Sequence, residues 1–440
     1  MSCSKPFCLI FCLLCTHLLA RAAERPNDSR ANNESGSSGA LQRANTGYTK
    51  EWGGKSIHQW TKDLRHPDPT YRVAAVLAIL NFKQAADALP DVITRLYEDG
   101  DASVRVKAAI LPRMVPHHET DRIRIIRGLA HAISHDPQSV VRYEAAVSLQ
   151  AFCPLNFEVK EERDVLQDLV KGLHSTSTYE LREVCIDTLI KARVDPKNGP
   201  DKQVTEALIM HANHLNEAAT RVRVKAIMAL GAQGRPQDPR LWQNVLNVLK
   251  MPANFQSRNP SVRIWAHVAV IALEEKVNKK DLDTIAGYLK EREAAVRLEA
   301  VTALGALEEK SQDYVGNILD MLKREEIPAV KAAAALALGR MKNTGPSVLG
   351  TLIRLTEEDS RESLGVVLSA CQAFVLLGAN NAEVMRAMDK VLEHKSLENY
   401  QKDWVRKMIE ELQAPRKKPL VKEAPKAPEK GIAPKQTNRR

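Results

Sequence analysis

The stretch Asp68-Pro69-Thr70-Tyr71-Arg72-Val73-Ala74-Ala75-Val76-Leu77-Ala78-Ile79 decides the fold. It opens with a residue that can cap a helix, followed by a proline. The cap accepts an orphan backbone N–H, and proline has no N–H to leave unsatisfied at the first helical position. Tyr71, Ala75 and Ile79 then follow at intervals of four, which puts them on one face of an α-helix. The same pattern recurs along the chain. A basic residue stands at Arg72, Arg105, Arg142, Arg182, Arg223, Arg263, Arg297 and Lys331, with Val367 in the ninth copy. One place earlier stand Tyr71, Val104, Val141, Leu181, Val222, Val262, Val296, Val330 and Val366. Three places later come Ala75, Ala108, Ala145, Cys185, Ala226, Ala266, Ala300, Ala334 and Ala370. This small-residue column predicts a face that meets its neighbour too closely for larger side chains.

Each copy also contains a second amphipathic run. Ile125, Ile126, Leu129 and Ile133 form one, and Leu166, Leu169, Val170 and Leu173 form the next; Leu241 to Leu249 and Val315 to Leu322 are later examples. Neither helix of such a pair can bury its apolar face alone, so the pairs must stack. Asp136-Pro137, Asp238-Pro239 and Asn259-Pro260 repeat the capping signal. No stretch alternates with a period of two, so no sheet is expected. The sequence predicts an all-α chain, an α-solenoid of about nine stacked two-helix repeats in which the second helices line the concave surface. Pro112 should end the first helix of the second repeat early. Residues 396–412, with Trp404, Val405, Met408 and Leu412 apolar, read as a final covering helix.

The paired helices at 33–41 residues and the D-P-x-x-R-x-x-A-A-type pattern of Asp68 to Ala75 resemble HEAT repeats. They are most similar to the short bacterial type grouped with phycobilisome-lyase-like repeats. The resemblance covers roughly Ser56 to Leu412. It implies a superhelical fold and, because such solenoids serve mainly as binding surfaces, a protein-binding role.

The flanks read differently. Lys5 precedes an apolar run from Phe7 to Ala20, followed by the small-x-small pattern Ala20-Arg21-Ala22. The run is too short to cross a bilayer as a helix, which needs about 20 residues, but suits a signal peptide over 1–22 cut between Ala22 and Ala23. Cys15 follows Leu14, not a small residue, which argues against a lipid anchor. Residues 23–54 are polar and read as a linker, 55–412 as the solenoid and 413–440 as a disordered basic tail rich in Lys, Pro and Ala. Ser56 and Gln59 form a capping-box pair at the start of order. Export would place the mature protein in a periplasmic or extracellular space, with no transmembrane span left after signal removal.

Composition excludes several classes. The 440 residues are 44% apolar and 27% charged, too apolar for a wholly disordered chain. Four of seven cysteines lie in the first fifteen residues, which rules out a disulfide-built fold. The net charge is +10, but residues 413–440 carry +7 and residues 1–23 carry +2, leaving the body nearly neutral. A nucleic-acid track would be uniformly basic. Here Arg122, Arg124 and Arg127 are followed in the next repeat by Glu161, Glu162, Asp164 and Asp168, a mosaic suited to a protein partner. The tail can contact anionic surfaces through salt-screened attraction.

No motif points to catalysis or to a cofactor. The basic column reads as structural, each cation pairing with acids or carbonyls of adjacent repeats; Asp68, Asp101 and Glu293 stand four residues ahead of Arg72, Arg105 and Arg297. Deoxyhypusine hydroxylases, which are HEAT-like, bind iron through several His-Glu pairs, and this chain has only His118-Glu119. His267 reads as a half-buried, hydrogen-bonded histidine, and Cys185 and Cys371 as small core residues. Gly54-Lys55-Ser56 lacks the phosphate-loop glycine five residues earlier, where Thr49 stands. The expectation is a non-catalytic exported scaffold that binds a protein. The alternatives are a lyase-like or enzyme-accessory role, linked to a chromophore or metal, and nucleic-acid binding.

Overall fold

The structure is a computed structural model that describes residues 49–174, 176–192, 194–195, 198–357 and 362–414. The segment read as a signal peptide, with Ala22 and Ala23, most of the segment read as a linker, and the tail from 415 lie outside the described residues. Helix α1 (Ile57–Asp63) leads the solenoid. Four pairs follow it: α2 (Pro69–Ile79) with α3 (Ala85–Glu98), α4 (Ala102–Ile110) with α5 (Arg122–His135), α6 (Ser139–Leu149) with α7 (Lys160–Gly172), and α8 (Tyr179–Ala192) with α9 (Lys202–Ala212). The fifth pair, α10 (Thr220–Gln233) and α11 (Pro239–Lys250), is followed by the single turn α12 (Pro252–Phe255). Then come α13 (Pro260–Leu273) with α14 (Lys279–Gly287), α15 (Ala294–Ala306) with α16 (Val315–Leu322), α17 (Pro328–Arg340) with α18 (Pro346–Thr356), and α19 (Leu364–Leu377) with α20 (Ala382–Glu393). Helix α21 (Asn399–Gln413) closes the stack. Two isolated bridges, Trp52 with Lys55 and Asp195 with Gly199, are the only β pairings among the described residues. The chain is an all-α solenoid of nine stacked HEAT-type helix pairs.

The small-residue column forms the spine. All nine of its members, from Ala75 to Ala370 and including Cys185, are fully buried. In the C-terminal half the approach is closer still. A Cβ added to Gly231 would lie 2.9 Å from the Ala269 Cα, and one added to Gly305 or Gly339 would lie 2.8 Å from the Ala337 or Ala373 Cα. Glycine is therefore required there by contact, not by backbone angle. Successive first helices α10, α13, α15, α17 and α19 pack closely throughout, while the second helices α11, α14, α16 and α18 make only sparse direct contact. A stack whose layers differ in spacing bends toward the tighter one. The first helices thus form the inner, concave layer in this half, and the expectation that the second helices would do so is reversed. In the N-terminal half both layers pack closely, α3 on α5 and α5 on α7 as well as α2 on α4 and α4 on α6.

Local departures have local causes. Helix α4 stops at Ile110 and tightens into a 3₁₀ turn, Leu111–Arg113, because Pro112 offers no N–H to continue the ladder. Tyr71 is 50% exposed although its column is otherwise buried, since the first repeat has only short α1 before it; its ring stacks on His66 instead. In α21, Val405, Met408 and Leu412 are buried, but Trp404 faces solvent. Asp68, Asp238 and Asn259 cap their helices as their position before proline suggests. Asp136 does not: α6 begins at Ser139, and the Asp136 carboxylate is engaged by Arg105. Lys310 donates its Nζ to the carbonyls of Ile271, Ala272 and Glu274 and so satisfies the C-terminal end of α13. The stretch 49–54, part of the segment read as linker, lies against the first repeat. Thr49 N donates to Asn81 O at 3.2 Å, and Trp60 Nε1 to Trp52 O at 2.9 Å.

Two glycine substitutions separate contact from propensity. Replacing a helical glycine by alanine gains up to about 1 kcal/mol, whereas overpacking costs about 1–3 kcal/mol. Gly305→Ala should destabilise, because the new methyl meets backbone. Gly350→Ala, within α18 where nothing lies within 4 Å, should stabilise. Urea denaturation of both variants checks this, and a stabilised Gly305→Ala would refute the close-approach account.

Candidate functional site

The most regular polar feature is a ladder of cross-repeat ion pairs built from the basic column. Arg72 donates through Nε and Nη2 to Asp99 at 2.7 Å each, while Nη1 reaches the carbonyls of His66 and Pro67. Arg105 repeats this toward Asp136, at 2.7 and 3.2 Å, and toward the carbonyls of Asp99 and Gly100. Arg182 forks onto Glu217 at 3.0 and 2.8 Å, and Arg297 onto Glu325 at 2.7 and 2.9 Å. Lys331 makes a single contact of 2.5 Å with Glu362. Both partners are largely desolvated: the Glu325 side chain is 2% exposed and that of Arg297 18%. The planar guanidinium fork matches a carboxylate on one side and leaves Nη1 for backbone carbonyls on the other, which lysine cannot do.

The acids are not the ones the sequence reading singled out. Asp68 and Asp101 spend their carboxylates capping their own helices, on the N–H groups of Thr70 and of Ser103 and Val104. The true partners Asp99, Asp136, Glu217 and Glu325 each stand six residues before the next ladder cation. That spacing is present in the sequence and was the signal available. Arg142, Arg223 and Arg263 do not complete the pattern: each keeps a buried Nε with no hydrogen-bond partner among the described residues.

Burial pushes the Glu217 carboxyl up, but hydrogen bonds from Arg182, the Ala219 N–H and His211 outweigh it and hold it below the ordinary 4.5. Glu325 is likewise held below 4.5, where burial is outweighed by Arg297 and the Ile327 N–H. A carboxylate depressed in the folded state contributes stability that is fully present above its unfolded value and is lost as pH falls through its folded value. Acidification below about pH 4.5 should therefore weaken the wild type more steeply than Glu325→Gln, as followed by thermal unfolding across pH. At neutral pH, Arg297→Ala leaves Glu325 buried without its cation, a change that costs about 3–5 kcal/mol. Circular dichroism during denaturation would measure it.

The remaining candidates lie apart from one another. His118 Nε2 contacts Asp87 Oδ1 at 2.7 Å on an exposed edge. His267 is more deeply buried than expected; its Nδ1 lies 3.1 Å from Asp281 Oδ1 and its ring packs on Phe255, and burial pushes its pKa down. Among the described residues no group of three or more His, Cys, Asp or Glu side chains converges to hold a metal ion. Cys153, Cys185 and Cys371 are free thiols, each pushed up to about 12 by burial. Part of the charge mosaic on the second helices is internal. Arg122 forks onto Glu162, which is 2% exposed, and Ser134 binds Asp168, so Arg122 and Glu162 do not face a partner. Exposed large apolar side chains occur in both layers: Tyr71, Val140, Tyr179 and Ile327 near the starts of first helices, Tyr97, Ile123 and Met210 on second helices, and Leu215 in the turn after α9.

Residues 282–373 match the family described as HEAT repeats. The match runs from within α14 to within α19. A search of curated proteins finds no match. Solved structures with a similar path include an engineered protein, at 16% identity and a TM-score of 0.40, covering 81% of this chain and 99% of that one. Importin beta is similar at 14% identity and a TM-score of 0.39, over 81% of this chain; the match spans half the length of importin beta. Human deoxyhypusine hydroxylase in complex with glycerol is similar at 14% identity and a TM-score of 0.28, over 66% of this chain and 98% of that one.

Proposed function

We propose that the protein is an exported, non-catalytic scaffold whose solenoid binds a protein partner. The observation that carries this reading is the distribution of its side chains. Nine repeats build one long preformed surface. Its exposed apolar groups are dispersed over that surface, Tyr71, Val140, Tyr179 and Ile327 near the starts of first helices and Tyr97, Ile123 and Met210 on second helices. Dispersed anchors on a long preformed surface suit an extended protein contact, in which aromatic and aliphatic groups supply the affinity and charge the selectivity. In this reading the five closed rungs of the ladder, from Arg72, Arg105, Arg182, Arg297 and Lys331, are structural and fix the stacking of adjacent repeats. No described helix is long and apolar enough to cross a membrane.

Export rests on the apolar run before Ala20-Arg21-Ala22. The basic tail supplies salt-screened adhesion to anionic surfaces and has too few apolar side chains to form a packed site. Truncation after Leu412 should leave capture of a specific partner intact at moderate salt while reducing low-salt retention on anionic vesicles. Crosslinking capture from the native envelope fraction tests this; loss of the partner from the truncated protein, together with its retention by the isolated tail, would overturn the solenoid reading. Intact-mass measurement of native material should find a chain beginning at Ala23. A dominant species retaining residues 1–22 would overturn export alone.

A further inference from the structure

The ladder contains a seat that its own chain leaves unfilled. At six of the eight ladder cations, the place six residues earlier holds a side chain that accepts the backbone N–H two residues further on. His66 takes that of Asp68 at 3.1 Å, Asp99 that of Asp101 at 3.0 Å, Asp136 that of Gln138 at 2.8 Å, Glu217 that of Ala219 at 2.9 Å and Glu325 that of Ile327 at 3.0 Å. Ser257 does the same, its Oγ accepting from Asn259 N at 3.2 Å. Asp99, Asp136, Glu217 and Glu325 each use their remaining oxygen valence on the arginine of the preceding repeat. Ser257 occupies their place opposite Arg223 but has no carboxylate to offer.

Arg223 is correspondingly uncompensated. Its Nε is buried and has no hydrogen-bond partner among the described residues. Burial pushes its pKa down. The acids nearest in sequence register are already engaged: Glu217 by Arg182 and His211, Asp187 by Lys225, and Glu183 by Arg221. An arginine cannot shed its proton to escape this position, so the cation stays and the anion is missing. The next rung repeats the defect. Arg263 Nε is also buried without a partner, and Glu291, in the acid's place there, has an exposed side chain.

We propose that the fifth rung, Arg223 with Ser257, is an oxyanion-binding site. A carboxylate or phosphate oxygen accepts from the Arg223 guanidinium and from the Ser257 hydroxyl, in the position that an aspartate or glutamate fills in the first, second, fourth and seventh rungs. Arg263 supplies a second cation one repeat along. Packed helices lie about 8–10 Å apart, and a polyproline II segment has three residues per turn and rises about 3.1 Å per residue. Two acidic side chains three residues apart in such a segment lie on one side, about 9 Å apart, and so span both rungs. The oxyanion has two possible sources, free phosphate and an acidic segment of a protein; the second would give the partner contact proposed above its chemistry.

Thermal unfolding of the full chain in sodium phosphate, against sodium chloride of equal ionic strength, provides the test. Binding of a fluorescent peptide with two aspartates three residues apart forms the second arm. Phosphate should raise the melting temperature of the wild type. Ser257→Glu should raise it without phosphate, by closing the rung from within, and should abolish the phosphate response; Arg223→Gln should abolish the response as well. A peptide that binds the wild type and not Ser257→Glu assigns the site to acidic side chains, and a response to phosphate alone assigns it to the free anion. A wild type that responds to neither probe overturns the proposal. So does a response that both variants retain, or a Ser257→Glu protein less stable than wild type. Each of these failures leaves partner capture by the solenoid a separate question, read from the crosslinking experiment.

Discussion

Backbone-to-backbone approach of the first helices is the constraint on which the rest of the molecule depends. Small residues at nine successive positions, eight alanines and Cys185, and glycine at Gly231, Gly305 and Gly339, let those helices touch with almost no side chain between them. Dispersion and apolar burial then act over a continuous line along the stack. The second helices carry larger apolar residues such as Leu241, Ile285, Ile318 and Leu352, which fill the wedge that opens as the layers diverge. The curvature of the C-terminal half is thus written in residue volume.

The ladder depends on the same spacing. An arginine side chain reaches the acid at the start of the next repeat only because the first helices lie so close. Hydrophobic stacking between near-identical repeats is indifferent to register. A bidentate pair such as Arg72 with Asp99, or Arg297 with Glu325, is satisfied in one register alone. In that sense the ion pairs select among packings that the apolar contacts would accept, at a desolvation cost that the fork geometry and the extra carbonyl contacts offset.

Most of the architecture was legible because it rests on period. The columns led by Arg72 and Ala75 fix helix phase, pairing and repeat number without reference to anything distant. Pro112 was legible for the same reason, since the missing N–H acts within its own turn. What failed was what depends on neighbours in space. Asp136 before Pro137 has the sequence of a cap, yet a guanidinium 31 residues away claims its carboxylate. Nothing near Lys310 in sequence marks it as the donor to the open carbonyls of α13, which lie 36 to 39 residues earlier. Which layer faces inward could not be read from either helix alone, because it is a difference between two spacings. Trp404 fits an amphipathic stripe, but α21 has no further repeat to cover that edge.

The unequal spacing of the two layers also sets how the molecule yields under load. In the C-terminal half the first helices act as the pins of a hinge, incompressible and in contact, while the sparsely joined second helices can spread or close at little expense in broken contacts. Bending there turns each repeat about the alanine spine. The N-terminal half, packed in both layers, resists the same motion. The solenoid thus joins a stretch braced in two layers to one braced chiefly in its first-helix layer, where bending breaks fewer contacts.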